Sequence, residues 1–345
     1  FAGTHFNPQV TWWNEAEGII SYMARCQYLV QQGQFVADVL YYYGDHVPNL
    51  MPLKESDPAG VLPGYDYDVT NEEALLNFAS VEDGRIVLKS GMRYRLLVLP
   101  NHKVLSLAVL KKVKDLVEQG GIVLGPRPQK TASLMGYPAS DTEFKTLTDQ
   151  LWGSSSDAAG SNTFGKNKIL WGKTARQVLL DQKFQPDFEV DTPSLPVDYI
   201  HYIIQGREVY FVCNQQEKEL DVQCTFRVTG RQPELWNPLT GHRQEAAAFQ
   251  QHDGRTTIPL HFAPNGSQII VFNQTIPQTQ SGSAQNNFPD YQPVMEIPGP
   301  WTVRFDTRWG GPEEIIFDDL MSWKSHPLQA IQDYSGKAVY RKVFT

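Results

Sequence analysis

Near residue 195 the hydrophobic period of this chain changes, and that change limits the available folds more than any other feature. Upstream, strand-like apolar runs alternate with helical patterns of roughly 10 to 15 residues. FVADVLYYY at 35–43 reads as one buried strand, with Gly44 and Asp45 opening a Pro-bearing loop. Thr70 and Glu73 predict a capping box for a short helix around LLNF. A strand pair is expected at Arg85 to Leu88 and Tyr94 to Leu99, then a helix over 104–118 ended by Gly120 and Gly121. GIVLG, a helix at 141–151, KILW at 168–171 and a helix at 173–182 continue the alternation. This order predicts a mostly parallel sheet with helices on both faces, a doubly wound (flavodoxin/amidotransferase-like) α/β domain spanning 34–192.

From Tyr199 onward the segments YIHYII, EVYFVC, DVQCTFRV, PELWN, TTIPLHF and SQIIVF are short, alternating and separated by turn residues, which predicts a β-sandwich over 193–275. Residues 276–296 are Ser/Gln/Asn-rich and read as a linker. Residues 297–345 carry two or three further strands, the start of a truncated second sandwich whose apolar face is expected to lie open. At the other end, Asn14 is expected to cap a helix with Glu17 three residues on. Its stripe of Ala16, Ile19, Ile20, Met23 and Ala24, closed by Gly33, has nothing before it to pack on. The chain opens with Phe1 rather than Met and is expected to be a piece of something longer.

Thirty Lys and Arg against 38 Asp and Glu give a net charge of −8, and Lys111, Lys112 and Lys114 fall on the solvated face of a helix, so nucleic acid is disfavoured. No apolar run approaches the ~18 residues of a membrane helix. Cys26, Cys213 and Cys224 lack metal-ligand spacing; Cys213 and Cys224 are read as small buried thiols, or as partners across a hairpin.

GSNTFGKN at 160–167 resembles a phosphate-binding loop, but Asn167 stands where Ser or Thr would hold magnesium and a strand follows, so a flexible surface loop is expected. GxSxG, HExxH and GxGxxG motifs are absent from the sequence. No Cys sits at a strand-to-helix turn as amidotransferase chemistry needs. Asp66 and Asp68 have the alternate spacing of a calcium site but read as turn formers before a helix. The Asn265 and Asn273 sequons matter only in a eukaryotic secretory setting. Two clusters stand out: His5, Asn7, Trp12 and Trp13 in a loop before a helix, and YYYGDH, with Asp45 and His46, at the carboxyl end of a parallel strand. The alternative for each is a core-facing aromatic loop.

GTHFNPQVTWW, ISYMARCQYLVQQGQFVADVLYYYGDHVPN, LVLPN, WTVRFDTRWGGPEE and YSGKAVYRKVF, taken in order, resemble glycoside hydrolase family 106, the α-L-rhamnosidases. The likeness is most specific at the two ends of the chain. It implies that residues 1–33 are the last loop and helix of a (β/α)8 barrel, followed by a doubly wound domain without chemistry of its own and by β-sandwiches. It also implies that the catalytic glutamates lie in barrel strands upstream, so no catalytic residue is expected here, and Glu15 and Glu17 read as structural. His5, Asn7, Trp12 and Trp13, with Asp45 and His46, would contact a rhamnose-containing glycan. The calcium associated with the family falls on no residue of this sequence. A periplasmic or secreted bacterial enzyme is the expected source. The accessory domains of family 42 β-galactosidases, a non-catalytic carbohydrate-binding or structural module, and a degenerate amidotransferase or nucleotide binder are the rival readings.

Overall fold

The computed structural model describes residues 5–45, 62–153, 157–289 and 292–344. Two compact units divide the chain, residues 1–25 with 289–345 and residues 26–288. Helix α1 (Glu17–Val30) is followed by β1 (Gln34–Phe35), β2 (Val39–Tyr42), β3 (Tyr67–Thr70), α2 (Glu72–Phe78), β4 (Ala79–Glu82), β5 (Arg85–Leu88), β6 (Arg93–Tyr94) and β7 (Leu96–Val98). Then come α3 (Leu107–Gln119), β8 (Val123–Leu124), α4 (Ala139–Trp152), β9 (Gly160–Phe164), β10 (Asn167–Trp171), α5 (Ala175–Asp181) and β11 (Phe188–Val190). The antiparallel strands are β12 (Val197–Ile204), β13 (Arg207–Asn214), β14 (Leu220–Phe226), β15 (Arg231–Trp236), β16 (Arg243–Glu245), β17 (Gln250–His252), β18 (Arg255–Phe262) and β19 (Ser267–Thr275). The last segment holds β20 (Trp301–Phe305), β21 (Ile315–Phe317), α6 (Gln329–Gln332) and β22 (Ala338–Arg341).

In the 26–288 unit a six-stranded sheet has the order β3-β2-β7-β8-β10-β9, parallel except for the edge hairpin β9–β10. The chain starts at β2, steps out to β3 and returns to β7, the flavodoxin-like winding. Alternate residues of β2 serve opposite faces. Leu40 and Tyr42 pack with Val109, Val113 and Val117 of α3 and Phe144 and Leu151 of α4; Val39 and Tyr41 pack with Val178 and Leu179 of α5. Coverage on both faces explains why these strands read as continuous apolar runs.

Helix ends follow local chemistry with small offsets. Ser106 Oγ accepts the Val109 N–H at the start of α3, and Gly120 closes that helix at φ 115°. The cap of α2 is Asn71, not Thr70: the Asn71 side chain accepts from Ala74 N, because Thr70 is still paired in β3. Asn14 lies inside a 3₁₀ turn at Trp13–Glu15 rather than capping α1. GSNTFGKN is the β9–β10 hairpin, not a flexible loop. Its two-residue turn places Gly165 at φ +60°, with an added Cβ 2.4 Å from Glu118 Cα. Gly165→Ala is expected to cost about 2 kcal/mol in urea unfolding, and a loss below about 0.5 kcal/mol would show that the turn relaxes freely.

The sandwich pairs a sheet of order β1-β12-β13-β19-β15-β16 with one of order β11-β14-β18-β17, over a core that includes Tyr210, Cys224, Phe226, Phe262 and Phe272. The strand expected at 35–43 is two strands: β1 pairs with β12 of the sandwich and β2 enters the parallel sheet. Asp38 marks the crossing, and its interruption of the apolar run is the local sign of it. Residues 188–190, read as part of the doubly wound domain, form β11 and pair with β14 of the sandwich. Cys213 and Cys224 lie in different sheets and no disulfide joins them, so the hairpin pairing does not occur. The stretch read as a linker is packed through residue 288. Gly282 N and Ala284 N donate to Phe249 O and Ala247 O, and buried Asn287 exchanges two hydrogen bonds with the Ala248 backbone. The Asn287 side chain is thereby satisfied by main chain.

Leu29, near the end of α1, packs on the outer sandwich face at Val209, Ile269 and Val271. Just before the helix Ala16 is buried, whereas Ile19 and Ile20 within it are 50% and 40% exposed. The other unit is built on the sheet β21-β20-β22. Its apolar face is closed, contrary to expectation: Val303, Phe305 and Phe317 are covered by Ile331, Tyr334 and Trp323 from the segment between β21 and β22. Thr11 joins Ser335 at 2.8 Å and Glu15 joins Lys337 at 2.5 Å, so Glu15 has a structural partner within this unit. Among the described residues no helix is long and apolar enough to cross a membrane.

Candidate functional site

The loop before α1 is shaped by its own turns. Asn7 Oδ1 accepts the Gln9 N–H at 2.9 Å and Asn7 O accepts the Val10 N–H. This folds Trp12 and Trp13 back onto Phe6, with ring centroids 5.5 and 5.4 Å away. Trp12 is 41% and Phe6 43% exposed, so the loop presents an aromatic plate to its surroundings, and His5 beside it is exposed. Phe6 was not singled out in the sequence, although its place between His5 and Asn7 in an aromatic-rich loop was a usable sign.

Asp45 belongs to the 26–288 unit. It lies beyond β2, where the winding reverses between β2 and β7, the usual ligand crevice of such sheets. The carboxylate fills that position with internal bonds. Tyr42 Oη donates to Oδ1, and Ser106 N, at the start of α3, donates to Oδ2 at 2.8 Å. Burial, and then the Asp45 carboxylate, raise the Tyr42 pKa, keeping the phenol a donor. Asp45 therefore braces strand to helix, while His46 lies outside the described residues. Asp66 and Asp68 accept the N–H groups of Tyr67 and Val69, and Tyr94 Oη donates to Asp68 at 2.8 Å. Among the described residues no group of three or more His, Cys, Asp or Glu side chains is placed to hold a metal ion.

A cluster of buried charges was missed in the sequence. Arg227 spans two buried carboxylates, reaching Asp38 at 3.1 Å and Asp187 at 3.1 Å. His201 Nδ1 lies 3.0 Å from Asp187, its Nε2 2.8 Å from Glu208, and its ring stacks on Tyr210 at 3.8 Å; Tyr210 Oη donates to Asp187. The guanidinium groups of Arg95 and Arg227 lie over the Phe184 ring at 3.4 and 4.1 Å. Burial alone would lower the His201 pKa, but Asp187 and Glu208 hold it up at about 9, so both ring nitrogens donate. Burial lifts Asp38 to about 6 against the pull of Arg227. Burial also pushes Asp187 up, yet His201 and Arg227 hold it below the usual carboxylate range.

Such shifts often mark active sites. Here the two aspartates share one guanidinium and have no sugar-sized gap between them, so the cluster is a joint between β2, β11, β12 and β13. The one sign in the sequence was Asp38 inside an apolar run, since acids are rarely buried without a partner.

Residues 1–251 match the sequence profile of glycoside hydrolase family 106, described as alpha-L-rhamnosidase. The chain belongs to this family. The family 106 chain aligns with the solved rhamnosidase of Novosphingobium sp. PP1Y at TM-score 0.79 and 28% identity, over 98% of this chain and 32% of that one. A Formosa agariphila protein provisionally named a beta-glucuronidase is 32% identical over 301 residues, 86% of this chain and 24% of that protein. The beta-galactosidase of Bacillus circulans sp. alkalophilus aligns over 77% of this chain and 46% of its own, at 12% identity and TM-score 0.49. The family 106 chain thus spans a quarter to a third of the first two relatives.

Proposed function

We propose that this chain is the accessory part of a larger α-L-rhamnosidase that removes terminal rhamnose from polysaccharide by inversion, with its acid and base on segments other than these 345 residues. The carrying observation is the alignment of nearly the whole chain with only 32% of the Novosphingobium rhamnosidase. Inversion needs two carboxyl groups ~6.5–9.5 Å apart with a water between sugar and base. The buried aspartates described above have no such space. Residues 1–33 are read as the last loop and helix of a (β/α)8 barrel. The exposure of Ile19 and Ile20 supports that reading, since a helix of this fold needs an apolar neighbour. His5, Asn7, Trp12 and Trp13 would then line the barrel rim, with Trp12 and Phe6 giving a sugar an apolar face and His5 a hydrogen bond. Calcium, if the parent enzyme uses it, would be held elsewhere in the enzyme. The enzyme would act in the periplasm or outside a bacterial cell.

The test uses the full-length enzyme with aryl α-L-rhamnoside and aryl β-D-glucuronide side by side. The glucuronide arm is included because of the name of the Formosa relative. Rhamnoside turnover is expected, with Trp12→Ala lowering kcat/KM roughly tenfold, about 1.4 kcal/mol. Glucuronide turnover alone overturns the substrate assignment. The 345-residue chain on its own is expected to hydrolyse neither, and robust turnover by it would place the acids inside this chain.

A further inference from the structure

Within the 26–288 unit, a cleft of about 300 Å³ opens where the doubly wound part meets the sandwich. Domain junctions are favoured places for ligand pockets, and this volume sits at the small end of their range. Leu62, Phe188 and Leu195 give it apolar lining, while Arg176, Glu189, Asp198 and Gln215 supply polar groups.

One wall is fixed before any ligand arrives. Gly64 has φ +84°, and an added Cβ there would lie 2.7 Å from Pro186 Cβ and 3.0 Å from Phe188 O. Gly64 O accepts the N–H groups of Asp187 and Phe188, and Arg176 Nη1 donates to Pro63 O at 2.7 Å. Arg176 also lies 3.6 Å from Glu189, which Arg255 holds at 2.8 Å. A wall held this way lowers the ordering cost of binding.

We infer that this cleft is a non-catalytic subsite for one neutral sugar unit, with a 6-deoxyhexose such as rhamnose as its best ligand. The inference rests on the carbohydrate reading proposed above. Two carboxylates, one guanidinium and one amide offer acceptors and donors to ring hydroxyls, and the apolar lining suits a C5 methyl group. Glu189 is engaged by Arg176 and Arg255, so the charge that disfavours an anionic sugar here is chiefly that of Asp198. Occupancy here would hold a polymeric substrate while catalysis proceeds elsewhere, raising its effective concentration.

The 345-residue chain, isotopically labelled for NMR, is titrated with methyl α-L-rhamnopyranoside and, separately, with D-glucuronate. Saturable millimolar shifts of the Gln215 side-chain amide and the Arg176 Nε–H are expected with the rhamnoside, and at least roughly tenfold weaker binding with glucuronate. The D198A/Q215A double variant, both positions being at the rim, should keep the melting temperature and weaken rhamnoside binding roughly tenfold. Absence of shifts at these two groups, equal binding of glucuronate, or unchanged affinity in the folded double variant would each overturn the subsite. These readouts involve no hydrolysis, so loss of the subsite and loss of the rhamnosidase assignment are separable: the first is read on this chain, the second by turnover of the full-length enzyme.

Discussion

Arg227→Leu will destabilise the 26–288 unit by about 3–5 kcal/mol, the range for removing one partner from a buried ion pair. The Arg227 guanidinium reaches both Asp38 and Asp187, and both carboxylates are buried. Without it Asp187 keeps His201, but the Asp38 carboxylate loses its ion-pair partner in a water-poor space and protonates more readily still. The leucine also forfeits the guanidinium stacking on Phe184 and the bond to Gln185 O. Urea unfolding of the chain measures the loss. Arg227→Leu combined with Asp38→Asn and Asp187→Asn should be less harmful than the sum of the single changes, because no buried carboxylate is left without its cation and His201 keeps Glu208. A loss below about 1 kcal/mol for Arg227→Leu would mean that water reaches the joint and screens it.

Raising the pH from 6.5 to 9 will remove about 3 kcal/mol of stability through His201. Folding raises its pKa from 6.5 to about 9. In that window the folded state binds more protons than the unfolded one, so stability is full below 6.5 and falls as pH rises to the folded value. Below pH 6 the aspartates act in opposite directions. Asp38, raised to about 6, makes stability fall with rising pH, while Asp187, lowered, makes it fall with falling pH. The alkaline window is therefore the clean one for His201. Denaturant midpoints at pH 6.5, 7.5 and 9 test it against His201→Gln, which should be weaker at pH 6.5 and nearly flat across the window. A wild-type midpoint that does not move would show His201 to be neutral when folded.

Neither result was foreseeable from the neighbourhood of the residues concerned. Arg227 and Asp38 are 189 residues apart, and Asp187 precedes a β-strand in a segment that reads as the end of the doubly wound domain. The aromatic loop was different. His5, Asn7, Trp12 and Trp13 stood out because polar and aromatic groups crowd a dozen positions, and Phe6 completes the plate from within the same stretch. Asp45 was found for its place at a strand end, but what it does there depends on Ser106, 61 residues on, which supplies the N–H that engages its carboxylate.

The sequence by itself determined the alternating α/β order, the later change to antiparallel strands, the glycine closing α3 and the family likeness at the two ends. Each depends on neighbours within a turn or a strand, where side-chain period and backbone preference act directly. Tertiary structure alone decided that the run at 35–43 divides between two sheets, that the polar stretch after β19 packs to residue 288, and that residues 5–25 join the C-terminal sheet in one unit. It alone also gathered the buried charges around Arg227. A strand's partner and an ion pair's partner are fixed by which distant surfaces are buried together, and the local hydrophobic pattern records that a residue is buried without recording against what.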